Sequence, residues 1–214
     1  MRSSRTRWIA VIGTALVLGF IPLQAAGSFE VTPFYGYRLG GEFSDFDTSG
    51  VSNLEIDDGD AWGAILTFNF DEHQQIELLY SHQQTSLRAD GSLFSGTTSL
   101  FDLDVDNWQL GGSYTWGERK DPVRGFLGFS LGVTSFDPQS SGFRGDSQFA
   151  FSFYGGAKMP FNQHVGLRLQ GQWVSTYISS HDDVFCDPFG FCYTVSDSSY
   201  LNQFELSAGI AITF

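Results

Sequence analysis

Two cysteines, four histidines and several clustered carboxylates are the side chains of this 214-residue sequence best suited to bond chemistry, metal binding or a covalent staple. Cys186 and Cys192 enclose Asp187-Pro188-Phe189-Gly190-Phe191. In an oxidising compartment the reading is a disulfide closing a small turn, worth about 2–3 kcal/mol in the loop-entropy account. A metal site would need more ligands than the neighbouring His181, Asp182 and Asp183, and no two-plus-two Cys or His spacing occurs. Carboxylates gather at Asp57, Asp58 and Asp60, at Asp102, Asp104 and Asp106, and at Asp182 and Asp183. Hard divalent cations bind such groups, but the spacing is not that of an EF-hand, and a solvated acidic rim is the preferred reading. His73 and His164 fall at expected turns and His181 in a long connection. His82 lies near Ser81 and Glu77, without a recognisable nucleophile, base and orienting carboxylate. The expectation is a non-enzyme with no catalytic, cofactor-binding or metal residues.

The elements that carry these residues alternate. Eight segments of about ten or more residues place apolar side chains at every second position, the length a tilted strand needs to cross a bilayer. They fall near 29–41, 59–70, 75–87, 103–116, 123–136, 148–159, 164–178 and at the carboxy-terminal end. The fourth sets Trp108, Leu110, Tyr114 and Trp116 against Asn107, Gln109, Ser113 and Thr115. In the last, Phe204, Leu206, Ala208, Ile210, Ile212 and Phe214 alternate with Gln203, Glu205, Ser207, Gly209, Ala211 and Thr213. The third segment is the weakest, and the inner faces of the fifth and sixth read as small or polar. Connections alternate too: short at 71–74, 117–122 and 160–163, long at 42–58, 88–102, 137–147 and 179–200. The expected fold is all-β, an eight-stranded antiparallel up-and-down transmembrane β-barrel with both termini at the short-turn, periplasmic end. A soluble barrel with apolar faces inward would need a well-charged outer face. The second face here is mostly Gly, Ser, Thr, Gln and Ala.

Within such a barrel the few inward ions look matched. Glu30, Glu77, Arg124, Lys158 and Arg168 fall on lumen positions towards the short-turn end, and Arg38 and Glu205 towards the other end of the first and last strands. Arg38 and Glu205 are expected to pair across the closing seam. Lys158 and Arg124, close to turns, have the alternative of reaching water at the barrel mouth. Either way an eight-stranded interior is filled by side chains and leaves no wide pore. Trp116 suits the inner aromatic girdle, with Tyr37, Trp62 and Trp173 nearer the outer side or mid-depth.

Residues 1–26 read as a cleaved secretory signal: Arg2, Arg5 and Arg7, then an apolar run too short to span a bilayer, then Ala25-Ala26. Residues 27–214 form the barrel domain. The chain carries 25 Gly and 22 Phe, and its mean hydropathy lies near zero because half of each barrel strand faces a polar interior. The net charge of −13 argues against a nucleic-acid partner.

The chain end, with Ser207, Gly209, Ile212 and terminal Phe214, resembles the carboxy-terminal insertion signal of Gram-negative outer-membrane proteins. The opening Val31-Thr32-Pro33-Phe34-Tyr35-Gly36-Tyr37-Arg38-Leu39-Gly40-Gly41 is similar to first strands of small eight-stranded barrels of the OmpX and OmpA transmembrane type, and the resemblance covers nearly the whole mature chain. It implies a Sec-exported integral outer-membrane protein, inserted by the barrel assembly machinery, surrounded by outer-membrane lipid and lipopolysaccharide, and monomeric. It also implies exposed loops for an unidentified extracellular ligand, adhesion or envelope integrity. The competing expectations are a lipid A-modifying barrel enzyme, whose His-Ser-carboxylate signature the chain lacks, and a narrow channel for small solutes.

Overall fold

A computed structural model describes residues 28–43, 53–90, 98–118, 120–139, 146–178, 183–186, 192–194 and 199–214. The signal segment expected at 1–26 lies outside them. Eight long strands build the body: β1 (Ser28–Leu39), β4 (Gly59–Asn69), β5 (Gln74–Asp90), β6 (Thr98–Thr115), β7 (Arg124–Pro138), β8 (Asp146–Pro160), β9 (Val165–Ile178) and β12 (Ser199–Thr213). Each pairs antiparallel with its neighbour. β1 joins β12, and β5 joins both β4 and β6, so the sheet closes on itself.

Two long connections expected as loops carry strands of their own. β2 (Glu42–Phe43) pairs with β3 (Asn53–Ile56), which pairs with the upper part of β5. β10 (Asp183–Cys186) and β11 (Cys192–Thr194) form a hairpin. β5 and β6 run several residues further at this loop end than the alternation indicates, because β3 supplies β5 with a partner there.

The short turns are closed by side chains that cap the backbone. Asp71 Oδ1 accepts from His73 and Gln74 N–H at 2.7 Å each, and Asn162 Oδ1 accepts from His164 and Val165 N–H at 2.8 and 2.9 Å. These are the Asx turns for which Asp and Asn are suited. Gly117 takes a φ of 94° beside Asp121, which accepts from Glu118 N–H at 2.8 Å.

Register fixes the tilt. A ladder leaving Trp62 through His82, Asp106 and Ser135 reaches β8 at Ser147. Leaving Trp62 the other way, through Tyr35, Ala208 and Leu169, it reaches β8 at Ala157, ten residues away. An offset of ten over eight strands gives a tilt of about 40° and a radius of about 8 Å.

Projected on that cylinder, Tyr37, Trp62, Tyr80, Trp108 and Trp173 fall within about 4 Å of one level on the outer surface. Phe70, Trp116 and Phe214, all exposed, mark the opposite end. Between the levels lies a band about 20 Å tall carrying Leu66, Leu110, Leu127, Phe129 and Ile210 outward.

Beyond the upper aromatic level the polarity reverses. Asp60, Asp102 and Asp137 face out, while Ile56, Leu103, Val105, Phe136, Ile178 and Leu201 are buried inside and cap the lumen. The inner faces of the fifth and sixth strands are therefore not only small or polar. Phe126, Phe136 and Tyr154 point inward: Phe136 because a barrel end standing in water needs an apolar interior like any soluble sheet, Phe126 against the Arg168 guanidinium and Tyr154 over the space left by Gly128.

Candidate functional site

Among the described residues the lumen carries three cations and three carboxylates, stacked in layers from the turn end upwards. At the turn end, Lys158 Nζ donates to Glu30 Oε1 at 2.9 Å and to Gln75 Oε1 at 3.1 Å. Its side chain is 9% exposed, so burial next to an opposite charge wins over a water-reaching position at the barrel mouth. Arg124, at the start of β7, is half-buried and its guanidinium donates to the Glu72 carbonyl, a turn role rather than a place in the stacked pairs.

The next layer joins Arg168 and Glu77 through two parallel bonds, Nη1 to Oε1 at 2.8 Å and Nη2 to Oε2 at 2.9 Å. Such a planar fork is why Arg holds a carboxylate more rigidly than Lys. Gln170 Oε1 accepts from Nε and Nη2 of the same guanidinium, Ser113 Oγ donates to Glu77, and the Phe126 ring lies 4.3 Å from the Arg168 Cζ. Just below the outer aromatic level Gln109 Oε1 accepts from Ser130, Ser152 and Gln172 at 2.6, 2.6 and 3.2 Å. Phe34, Ile65 and Leu79 form an apolar cluster between this layer and the Arg168–Glu77 pair.

Near the outer aromatic level Arg38 meets Glu205, with Nη2 and Nε at 2.6 and 3.0 Å from Oε2. β1 and β12 place the two residues directly opposite one another on the seam. Ser81, from across the lumen, both accepts from Arg38 and donates to Glu205. With its amide oxygen turned towards Arg38, Asn107 accepts from Nη1 at 2.8 Å and donates to Thr134. Gln75 and Phe126 have no role in the sequence reading, where Ser81 is a neighbour of His82 and Ser113 one of an alternating polar face. Their lumen-facing parity is visible there, but which ion each one touches depends on the ten-residue offset.

His82 faces outward, on the opposite side of the sheet from Ser81 and Glu77. Its Nδ1 lies 2.9 Å from Asp106 Oδ1, which also accepts from the Tyr80 hydroxyl at 2.8 Å, and its ring sits 5.1 Å from that of Trp62. Ser135 stands opposite Asp106 rather than His82. Asp58 Oδ1 accepts from Gly40 N–H, and Asp102 accepts from Ser86. Among the described residues no group of three or more His, Cys, Asp or Glu is placed to hold a metal ion. The β10–β11 register sets Cys186 opposite Cys192. Their side chains, with His181 and Asp182, lie outside the described residues.

At the chain end, Ser207 pairs with Gly36 and Gly209 with Phe34. A Cβ on Gly209 would lie 2.7 Å from the Pro33 carbonyl oxygen and 2.8 Å from Thr32 Cγ2, so the glycine is required by close approach. Ile212 and Phe214 point outward.

The sequence profile of the outer membrane protein beta-barrel domain matches residues 13–210. This chain belongs to that family. Its fold is similar to that of the outer membrane protein OprG from Pseudomonas aeruginosa, with a TM-score of 0.62 at 13% identity over 89% of this chain and 97% of OprG. Neisserial surface protein A aligns with a TM-score of 0.59 at 14% identity over 88% and 99% of the two chains. AlkL, determined in lipid bilayers, aligns with a TM-score of 0.59 at 13% identity over 88% and 90%. No curated protein matches the sequence. Family membership places the chain in the bacterial outer membrane, and the apolar band with its two aromatic levels is the surface that meets lipid there.

Proposed function

We propose that this outer-membrane barrel is a non-conducting, non-catalytic surface protein whose acidic outer face and long connections make contacts outside the cell or stabilise the envelope. The single observation that carries the reading is the filled lumen: Lys158–Glu30, Arg168–Glu77 and Arg38–Glu205 stacked beneath an apolar cap of Leu103, Phe136, Ile178 and Leu201. Outside that cap, Asp60, Asp102 and Asp137 face water at the long-connection end. In this reading residues 1–26 direct Sec export, and Ser207, Gly209, Ile212 and Phe214 address the barrel assembly machinery. Both termini and the short turns are periplasmic, and the monomer sits among lipopolysaccharide. The β10–β11 hairpin, stapled by Cys186 and Cys192, meets an unidentified extracellular ligand.

Planar-bilayer recording of the purified protein tests this. No resolved conductance steps are expected, and steps that rise when Arg38 or Glu205 is neutralised would favour a narrow channel instead. Exchanging residues 183–194 for a short turn is expected to abolish cell-surface binding without altering heat-modifiable migration. Among the described residues the His82–Asp106 pair is the feature that favours an enzyme acting on outer-leaflet lipid. On the reading preferred here, His82→Ala leaves the lipid A mass spectrum of expressing cells unchanged.

A further inference from the structure

The turn end of the barrel opens into a cavity of about 640 Å³ whose lining includes Glu30, Gln75 and Lys158. It is blind, because Arg168, Phe126 and Glu77 are buried beyond that floor and fill the lumen. The floor is an ion pair with valences to spare. Lys158 uses two of its three ammonium hydrogens, on Glu30 Oε1 and Gln75 Oε1. Glu30 accepts through Oε1 alone, from Lys158 and Thr32, leaving Oε2 without a donor among the described residues. Both side chains are nine-tenths buried, so a ligand meets them largely stripped of water, where charge-assisted bonds are strongest. One spare donor beside one spare acceptor is complementary to a carboxylate beside an ammonium. Among the described rim residues Asp71, Glu72 and Asp121 outnumber Lys120 and Arg124, which adds attraction for a second positive charge.

We propose that this cavity binds a small zwitterion of basic amino-acid type: its carboxylate on Lys158, its α-ammonium on Glu30 and its remaining ammonium towards the carboxylate rim. That the ligand arrives from the periplasm rests on the orientation given above; the binding itself does not.

The test is an NMR titration of the refolded full chain in detergent micelles with free L-lysine, following the amides of Gly166 and Ala211 in the cavity wall. Lysine is expected to give a saturable shift and to bind at least about tenfold more tightly than acetate or n-butylamine, each of which supplies only one of the two floor contacts. Glu30→Gln and Lys158→Gln are each expected to weaken lysine binding by about tenfold. If neither variant refolds, the charge exchange of Glu30→Lys with Lys158→Glu keeps the pair, and binding within about threefold of the parent is expected, since the zwitterion reverses with it. No saturable shift with the parent protein, equal binding of the singly charged compounds, or loss of binding in a refolded exchange protein would each overturn the proposal. Any of these leaves the surface reading of the barrel untouched.

Discussion

Removing Arg38 while keeping Glu205 should destabilise the barrel far more than removing both. Arg38 and Glu205 are each 1% exposed, and Glu205 Oε2 takes its bonds from Arg38 and Ser81, while Oε1 has no donor among the described residues. In Arg38→Met, Ser81 remains as the one donor to a buried carboxylate. Stranding a buried charge costs about 3–5 kcal/mol, whereas replacing both partners by apolar groups of similar volume is neutral or stabilising by about 1–4 kcal/mol. The double variant Arg38→Met with Glu205→Leu should therefore lie close to the parent protein, with a coupling energy of about 3 kcal/mol or more between the two sites. Urea titration of the refolded barrel in lipid vesicles, followed by tryptophan fluorescence with heat-modifiable migration as the folding check, measures all four corners of the cycle. Single variants within 0.5 kcal/mol of the parent, or a double variant as unstable as the sum of the singles, would refute the claim that this pair is a desolvated, mutually dependent unit; the threshold is about the scatter of non-interacting sites.

Gly128→Ala should cost about 1–3 kcal/mol in the same assay, because its Cβ would run into the ring of the buried Tyr154 and overpack the lumen. Asp71 accepts backbone hydrogen bonds from Gln74 and His73, which hold its carboxyl below the ordinary 3.8. Its NMR titration midpoint should be lower than that value, and the turn stability it contributes at neutral pH should fade only as pH drops from 3.8 through that lower midpoint. The parent protein should migrate faster on a non-reducing gel than after reduction, and Cys186→Ser with Cys192→Ser should abolish the difference; identical migration of the unreduced parent and this variant counts against the staple.

The alternation of Trp108, Leu110 and Tyr114 with Asn107, Gln109 and Ser113 was legible because side-chain direction in a strand repeats every two residues and needs no distant partner. Parity likewise placed Glu30, Arg38, Glu77, Lys158, Arg168 and Glu205 inside. The Arg38–Glu205 contact could be read as well, since the first and last strands of a closed barrel must adjoin. Arg124 fell on the inward parity too, yet it serves a turn, because its position at the strand end lets its guanidinium reach the Glu72 carbonyl.

Other contacts had no local signal. Lys158 meets Glu30 128 positions away in sequence, and Ser81 bridges Arg38 and Glu205 from across the lumen. Those partners follow from the ten-residue offset, which is the accumulated register of eight pairings and is written in no single strand. The same offset brings Trp62, Trp108 and Trp173 to one level although they occupy different positions along their strands. Inward Leu103, Phe136 and Leu201 carry the same parity as the polar lumen residues below them. Only the height at which the barrel leaves the bilayer makes that face apolar. The sequence by itself determined which side of the sheet each residue occupies, because the period-two pleat is local. The tertiary structure decided which residues meet and at what depth, because closure, tilt and the change from lipid to water outside the wall are properties of the whole barrel.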